Sequence, residues 1–467
     1  MAETEPDARA ETAERPVHAE DLLGLNPNLA RSVAQALSDG NEDAVKSLVE
    51  PLHYAEIANL LEQLRPGMRR RLVEHQRPYF DPEILPELDE NIRNEVAEIL
   101  GTDTLSAAIS MLESDDALSL LSTLEDSKRR NVMEALPASI RAALAEGLTF
   151  PEDSAGRLMQ RGFVAVPAFW TVGETIDFLR DSVDLPNEFY DVFIVDPGHR
   201  PVGTITLSRI LRSKRPVRMN EIMQPEILSV PVAMDQEEVA YIFSQHDLVS
   251  APVIDEGGRL IGVIMVDDVV DVIHEEAEED FMRLGGVRED DLYAAVLDTG
   301  RSRFSWLFVN LGTALLASIV IGFFQGAIER IVMLAVLMPI AASMGGNAGT
   351  QTLTVVVRAI AMKEITGANA YRVLSKEVLV GIFNGSLFAV IIGAAAWIWT
   401  GDFSIGLVMA AAIIVTMFIA GLAGTAIPLG LSRTGIDPAI ASGVFLTTIT
   451  DVVAFCAFLG LASLFLM

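Results

Sequence analysis

The sequence is poor in cysteine and histidine, and its basic residues are outnumbered by acidic ones. A single cysteine, Cys456, excludes a disulfide framework and any metal site made of paired thiolates. All six histidines precede residue 275, so the C-terminal part offers no imidazole ligand. The sequence has 34 basic and 64 acidic residues. The net charge of −30 disfavours nucleic acid as a partner, because phosphate binding needs a positive surface.

The charge is distributed very unevenly along the chain. Of these residues, 26 basic and 58 acidic ones precede residue 301, whereas residues 301–467 hold only 8 and 6. Uncharged runs cover residues 304–328, 331–357, 378–401 and 403–432, and a fifth, 438–467, is broken only by Asp451. Each exceeds the roughly 20 residues that cross a bilayer core as a helix. The pattern predicts an α-helical transmembrane domain with five spans over 301–467, preceded by an acidic water-exposed half.

The basic residues predict how this domain lies in the membrane. Arg301 and Arg303 precede the first run, and the even-numbered loops carry Arg358, Lys363, Arg372, Lys376 and Arg433. The odd-numbered loops carry only Glu329, Arg330 and Asp402. The positive-inside rule therefore places the N-terminal half in the cytoplasm and the C-terminus outside an inner (cytoplasmic) membrane. Residues 1–20 lack the apolar core of a signal peptide and predict an acidic disordered tail.

Residues 21–151 have apolar side chains at helical spacing and a weak internal repeat. LHYAEIANLLEQLRPGMRRRLVE from Leu52 is similar to LESDDALSLLSTLEDSKRRNVME from Leu112, an offset of 60 residues. Such a repeat predicts stacked helical hairpins, an all-α superhelical N-terminal domain. It contains no catalytic constellation, which favours a scaffold or regulatory role.

A clearer repeat occupies residues 152–273. Leu158-Met159-Gln160 recurs as Ile222-Met223-Gln224, and IVDPGHRPVGTITL from Ile194 recurs as VIDEGGRLIGVIMV from Val253. Each copy predicts strand, helix, strand, a tight D-x-G turn, strand and helix. The repeat resembles a tandem pair of CBS modules, over residues 152–216 and 217–273, an α/β unit. Such pairs often bind adenine nucleotides, so an adenine nucleotide is a candidate ligand; a relay module without a small ligand is the alternative.

An acid-rich segment, residues 267–300, connects the two halves. Its helical spacing puts Asp268, Asp271, Glu275 and Glu279 on one face, and an apolar side is predicted for Val269, Val270, Ile273, Ala277 and Phe281. Like charges at this spacing repel each other, and a hard divalent cation such as Mg²⁺ would neutralise them. The candidate regulatory ligands are therefore Asp267, Asp268, Asp271, Glu275, Glu276 and Glu279. A solvated linker helix is the alternative.

Within the runs, Asp451 is the only acid well inside a predicted span. It lies 14 residues, about 21 Å of helix, after Asp437, which precedes Pro438 and predicts a helix N-cap. An ionisable residue inside a span is costly and is a candidate for function. Since no basic residue is expected at the depth of Asp451, a cation is its natural counter-charge.

The second run contains Pro339 and the segment Gly345-Gly346-Asn347-Ala348-Gly349-Thr350-Gln351. Its glycines permit either exposed backbone carbonyls or close approach of a neighbouring helix. One carboxylate with amide and carbonyl oxygens suits a largely hydrated divalent ion. The candidate pore ligands are therefore Asp451, Asn347, Gly346 and Gly349.

MPIAASMGGNAGTQ from Met338 and DPAIASGVFLTTITD from Asp437 carry the resemblance to a known family. Together with the domain order, they resemble the MgtE family of magnesium channels and transporters from residue 21 to the end. The resemblance implies a homodimer in a lipid bilayer, with a pore on the two-fold axis where Asp451 of both copies faces one hydrated ion. It also implies that the connecting helix is a plug closed by cytoplasmic Mg²⁺.

The expected protein is thus a multidomain magnesium channel or transporter, closed by Mg²⁺ at acidic interfaces among N domain, CBS pair and plug. The alternative is a nucleotide-sensing CBS transporter of another divalent cation or solute. An enzyme is disfavoured, because one buried carboxylate has no histidine, cysteine or second acid to complete a hydrolytic site.

Overall fold

The structure is a computed structural model that describes residues 27–467 except 184, 187 and 288–295. The expected tail, residues 1–20, and part of the expected 267–300 linker lie outside the described residues. The chain divides into two compact units, one up to Val270 and the other Asp271–Met467.

The first unit begins with helices only, packed around one apolar core. They are α1 (Pro27–Asp39), α2 (Glu42–Val49), α3 (Tyr54–Gln63), α4 (Pro66–Gln76), α5 (Glu90–Ile109), α6 (Ser114–Thr123), α7 (Asp126–Ala135) and α8 (Ala138–Gly147). α5 is kinked at Gly101, whose φ of 74° is not helical. As the repeat predicts, α6 and α7 begin 60 residues after α3 and α4. Equivalent positions are buried in both copies, for example Leu60 and Leu120.

The rest of the first unit contains two three-stranded sheets of the same topology. They are β1 (Ala165–Pro167), β2 (Asp191–Val195) and β3 (Pro201–Thr206), then β4 (Val230–Pro231), β5 (Ser250–Ile254) and β6 (Leu260–Met265). In each sheet the first strand pairs parallel with the second, and the second antiparallel with the third. The helices are α9 (Ala155–Leu158), α10 (Val172–Asp181), α11 (Leu207–Arg212), α12 (Met219–Ile222), α13 (Gln236–His246) and α14 (Val266–Gly285).

Two repeated motifs have clear structural roles in this region. The D-x-G aspartates close the tight turns: Asp196 Oδ1 accepts from the backbone N of Arg200 at 2.9 Å, and Asp255 Oδ1 from that of Arg259 at 2.8 Å. The Met-Gln segments cross between modules. Gln160 of the first copy bonds Val263 of the second, and Gln224 of the second bonds Thr204 of the first. The tandem repeat therefore folds as one interlocked pair.

The second unit is helical. Its helices after α14 are α15 (Val296–Phe323), α16 (Gln325–Arg330), α17 (Met333–Ala361), α18 (Ala370–Thr400), α19 (Phe403–Arg433) and α20 (Pro438–Phe465). Among the described residues, four helices are long and apolar enough to cross a membrane: α15, α18, α19 and, within α20, Ser442–Phe465. The helix α17 is not among them, and its middle, SMGGNAGTQT from Ser343, is small and polar. The first predicted run is divided, since α15 ends at Phe323 and the short α16 follows.

Two of the three glycines of α17, Gly345 and Gly349, allow close approach of a neighbouring helix, and none makes the backbone irregular. α17 is continuous through Pro339 and the three glycines, so the expectation of exposed carbonyls is not met. Gly345 is buried against Thr416 of α19, and a Cβ on Gly349 would lie 2.9 Å from Leu446 of α20. Asn347 and Gln351, which lie four residues apart on this helix, are both exposed.

The connecting helix α14 begins in the first unit and ends in the second. Its predicted apolar side is only partly correct. Val269 and Val272 are buried, but Phe281 is 73% exposed and Val270 and Ile273 are also exposed. The apolar residues of α14 therefore do not form one continuous buried stripe.

Candidate cation sites

Three carboxylates from two domains of the first unit meet at one point. Glu113 occupies the N-cap position of α6, Asp115 lies in its first turn, and Asp268 lies in the first turn of α14. One oxygen of each lies within 4.8 Å of the others. This acidic triad brings the helical N domain and the end of the CBS pair together.

Hydrogen bonds fix the residues around the acidic triad. Gln160 Nε2 donates to Asp268 Oδ2 at 3.0 Å. Ser114, between the two N-domain acids, donates from Oγ to the carbonyl of Met159 at 3.2 Å and accepts from the backbone N of Arg161 at 3.0 Å. The crossed Met-Gln segment of the CBS pair thus holds the start of α6 against the start of α14.

The electrostatics of the triad are unfavourable without a cation. Burial, and next the nearby Asp267, raise the pKa of Asp268 from 3.8 to about 7. Burial, and next Asp268, raise the pKa of Asp115 well above its ordinary value. The pKa of Glu113 is raised as well, again by burial first and then by Asp267. Each carboxylate is therefore held in a place where its charge is costly.

The side chain of Asp115 shows most clearly that the acidic triad is suited to a cation. It is 9% exposed, and its Oδ1 has no hydrogen-bond partner among the described residues. An unpaired buried polar atom costs free energy, and more so for a charged group. Carboxylate oxygens are the ligands that hard divalent cations prefer, and Mg²⁺ commonly uses one or two carboxylates while keeping several waters. The triad fits such an ion.

The predicted regulatory residues divide between two places. Asp268 enters the triad, and Asp267 lies close enough to raise the pKa of Glu113 and Asp268. Glu279 instead forms an ion pair with Arg283 on α14. The structure does not bring Asp271, Glu275 or Glu276 into the triad.

The C-terminal end of α14 packs against the membrane helices of the second unit. Arg283 Nη1 lies 2.7 Å from Asp437 Oδ2, and Asp437 Oδ1 accepts from the backbone N of Ala439 at 2.7 Å, the N-cap bond expected from the sequence. Leu284 packs against a buried apolar cluster made of Leu353, Val357, Ala423, Ala439 and Leu446. Burial, and next Asp437, raise the pKa of Asp280 in the same helix. The end of α14 is thus anchored to the first turn of α20.

The candidate pore residues lie on α17 and α20, which pack against each other through Gly349 and Leu446. Asp451 is half-buried, and no described residue forms an ion pair or hydrogen bond with its carboxylate. Asn347 is exposed. Gly346 keeps its carbonyl in the helix, where it also accepts from Thr350 Oγ1 at 2.9 Å, and Gly349 is buried. Of the two glycines, only Gly349 serves the contact with α20, since a Cβ on Gly346 would meet nothing within 4 Å.

Comparison with known proteins assigns the chain to a family. A family described as "Divalent cation transporter" matches residues 338–461, "MgtE intracellular N domain" matches 52–153, and "CBS domain" matches 155–215 and 219–275. The magnesium transporter MgtE of Thermus thermophilus is 30% identical over 459 residues, covering 95% of this chain and 99% of that protein.

The chain belongs to the MgtE family of magnesium transporters.

A second magnesium transporter is similar over nearly the whole chain. The magnesium transporter MgtE of Bacillus subtilis is 27% identical and covers 92% of this chain and 96% of its own length. Among solved structures, the cytosolic domain of the Mg²⁺ channel MgtE in complex with ATP is 30% identical, covers 52% of this chain and 99% of that chain, and has a TM-score of 0.48. The resemblance stated from the two sequence motifs is confirmed. The protein is a membrane transporter with a cytosolic N-terminal domain.

Sequence reasoning missed Glu113 and Asp115, the N-domain half of the triad. Their segment, LESDDAL, is the only signal, and acids at a helix start ordinarily need no ligand because they favour the helix dipole. It also missed Arg283 as a partner for Asp437. Glu377 lies just before the third predicted span, which begins at residue 378, but the structure buries it inside α18.

Proposed function

We propose that the protein moves Mg²⁺ into the cytoplasm through a pore lined by α17 and α20, and that cytosolic Mg²⁺ closes it. The observation that carries the pore assignment is Asp451, a carboxylate within a span helix and without a protein counter-charge among the described residues. A charge at that depth needs compensation, and a hydrated cation supplies it. Family membership supports Mg²⁺ as that cation.

A polar face on the same helices supports a pore between two copies. On α17 the exposed polar residues are Ser343, Asn347, Thr350, Gln351 and Thr354, and on α20 Thr447 is exposed near Asp451. The threonine hydroxyls donate to carbonyls of their own helices, but lipid tails cannot satisfy the exposed amides of Asn347 and Gln351, so this face is expected to meet water or protein. A homodimer with the pore on its two-fold axis covers the polar face of each copy with that of the other and leaves water between them.

This pore requires α17 to cross the membrane, which gives five spans. With the N-terminal domain cytosolic, five crossings put the C-terminus outside. α17 has 29 residues, enough to span roughly 30 Å of hydrocarbon. Its polar middle lowers its hydropathy but is tolerated where it lines a water-filled pore.

The acidic triad is the proposed Mg²⁺ sensor. At low free Mg²⁺, repulsion among Glu113, Asp115 and Asp268 loosens the N domain from the start of α14. Bound Mg²⁺ removes that repulsion and favours the compact arrangement. A ligand shifts a population only through differential affinity. The arrangement in which the three carboxylates meet is therefore assigned to the closed state.

The helix α14 carries this change to the pore. It is continuous from Asp268 to the residues that anchor it on α20, Arg283 and Leu284. Asp437, the partner of Arg283, caps the helix that carries Asp451. When bound Mg²⁺ orders the N-terminal end of α14, the C-terminal end of the same helix therefore stays bound to α20 and closes the pore as the plug.

The pore assignment is tested by Asp451→Asn, which removes the charge and keeps the side-chain size. Mg²⁺ influx into proteoliposomes, followed with an entrapped Mg²⁺ dye, should fall more than about tenfold, because the carboxylate is the counter-charge of the ion. Asp402→Asn is the matched control, since Asp402 caps α19 and asparagine caps equally well. Normal influx through the Asp451 variant, purified as an intact dimer, would contradict the assignment.

An adenine nucleotide at the CBS pair is a secondary proposal. It predicts that ATP changes the Mg²⁺ concentration that half-closes the channel. Equal closure curves with and without ATP would favour a pair that only relays the Mg²⁺ signal.

A further inference from the structure

A second buried carboxylate, Glu377, lies on α18 in the membrane unit. It is not part of the proposed pore, which is lined by α17 and α20. Glu377 is 8% exposed and lies in the candidate span Ala370–Thr400. Buried acids in membrane helices are costly and rarely lack a role. Its Oε1 lies 3.3 Å from Nζ of Lys376, whose side chain is 70% exposed. A pair with such an exposed lysine contributes little, so it does not by itself explain the buried acid.

The other oxygen of Glu377 reaches the helix that carries Asn347. Thr352 Oγ1 of α17 donates to Glu377 Oε2 at 3.4 Å, and Thr352 is itself 7% exposed. Thr352 lies five residues after Asn347, about 7.5 Å along the same helix. Glu377 therefore accepts a hydrogen bond from the buried side of α17 and not from the exposed polar face of that helix.

The backbone packing around this bond joins three helices. A Cβ on Gly421 of α19 would lie 2.7 Å from the carbonyl oxygen of Glu377. One turn further along α19, a Cβ on Gly424 would lie 2.9 Å from the carbonyl oxygen of Gly349 and 3.0 Å from Cβ of Thr352. α19 thus packs closely against α18 at Gly421 and against α17 at Gly424. The hydrogen bond from Thr352 to Glu377 joins α17 to α18, so each of the three helices contacts the other two.

We propose that Glu377 is a positioning residue for Mg²⁺ permeation: through Thr352 it holds α17 in the place where its polar face lines the pore. It touches no ion. Without the bond, α17 is free to shift or turn against α19, and fewer channels present a complete lining. The maximal rate of flux then falls, while the Mg²⁺ concentration at half-maximal flux, set where the ion binds, stays the same.

The test uses pairs of variants of similar size in the full chain in proteoliposomes. Glu377→Leu and Thr352→Val remove the acceptor and the donor, and each should lower the maximal Mg²⁺ flux about tenfold, the size expected for one hydrogen bond to a charged group. Glu377→Gln and Thr352→Ser keep an acceptor and a donor and should stay within about twofold of the parent protein. The double variant Glu377→Leu/Thr352→Val should be no worse than either single one, because both remove the same bond.

Three results would overturn the inference. They are normal flux in Thr352→Val, loss in Glu377→Gln equal to that in Glu377→Leu, and equal loss in the control Lys376→Gln. The second would mean that the charge matters and not the bond, and the third that the lysine pair does. Size-exclusion chromatography and thermal unfolding identify variants that fail to fold, for which Thr352→Ser and Glu377→Gln still give the comparison. The inference rests on the proposed pore, so absence of flux in the parent protein would reject that pore first.

Discussion

If the acidic triad binds Mg²⁺, the single substitution Asp268→Asn should both stabilise the protein in the absence of Mg²⁺ and remove its stabilisation by Mg²⁺. Asp268→Asn replaces the carboxylate whose pKa is raised to about 7 with a neutral amide. Between about pH 4 and pH 7 the folded protein binds more protons at Asp268 than the unfolded chain does. Stability therefore falls as pH rises through that window, and the loss is complete above pH 7.

The size of the effect follows from the change in pKa. A rise from 3.8 to about 7 corresponds to on the order of 4 kcal/mol lost at high pH when no cation is bound. For a unit of this size, 1 kcal/mol shifts the unfolding temperature by about 2–4 °C. At pH 7.5 without Mg²⁺, Asp268→Asn should thus raise the unfolding temperature of the first unit by about 8–16 °C. At pH 5.5, where protons already neutralise part of the triad, the gain should be smaller.

Stabilisation by Mg²⁺, in contrast, should require the carboxylate of Asp268. In the parent protein at pH 7.5, Mg²⁺ at about 100 times its dissociation constant adds about 2.7 kcal/mol of stability. In Asp268→Asn most of this gain should disappear, since the triad has lost a ligand and its repulsion. At pH 5.5 the gain should be small in both proteins, because protons compete for the same oxygens.

The assay is thermal unfolding of the full chain in detergent at matched ionic strength, with hydrogen exchange of the α6 amides as the local readout. Asp181→Asn, an exposed acid of the same unit outside the triad, is the control and should respond to Mg²⁺ like the parent. If Asp268→Asn were less stable than the parent without Mg²⁺, or kept its full response to Mg²⁺, the triad would not be a cation site.

Three further predictions concern the second unit. Arg283→Gln and Asp437→Asn should each raise the Mg²⁺ concentration that half-closes the channel. The double variant should be no worse than Arg283→Gln alone, because asparagine still caps α20 and both changes remove the same Arg283–Asp437 ion pair. Additive effects would show that the two residues act separately. Leu284→Ser should weaken closure by Mg²⁺ because Leu284 packs on the cluster of α17, α19 and α20, whereas Phe281→Ser, at a position 73% exposed, should not; equal effects in flux assays would contradict the proposed seat of the plug. Gly424→Ala should destabilise the membrane unit by about 1–3 kcal/mol, since its Cβ would lie 2.9 Å from the carbonyl oxygen of Gly349, whereas Gly430→Ala meets nothing within 4 Å and should be neutral; thermal unfolding in detergent that does not separate the two would contradict this packing.

Much of the architecture could be predicted because it depends on local patterns. The repeat at an offset of 60 predicted the spacing of α3, α4, α6 and α7, and the D-x-G motif predicted the turns closed by Asp196 and Asp255. The spans were harder. Long apolar runs identify α15, α18, α19 and α20, but a run without charges does not show that α16 separates from α15, nor that Glu377 lies inside α18.

The candidate sites show the same division. Asp451 is visible in the sequence, because a lone acid in an apolar run is costly wherever its neighbours lie. Glu113 and Asp115 are separated from Asp268 by more than 150 residues, and helix-start acids are common. The face of α14 that the spacing predicted as one sensor is divided, with Asp268 in the triad and Glu279 on Arg283.

The sequence alone determined the order of domains, the family and the acid in the last span. Periodicity, repeats and uncharged runs are properties of neighbouring residues, and they survive without any knowledge of the fold. Only the tertiary structure decided which charges face each other. Whether a carboxylate meets a lysine, a threonine, an arginine or two other carboxylates depends on how distant segments pack, and that choice sets whether it binds a cation or holds a helix.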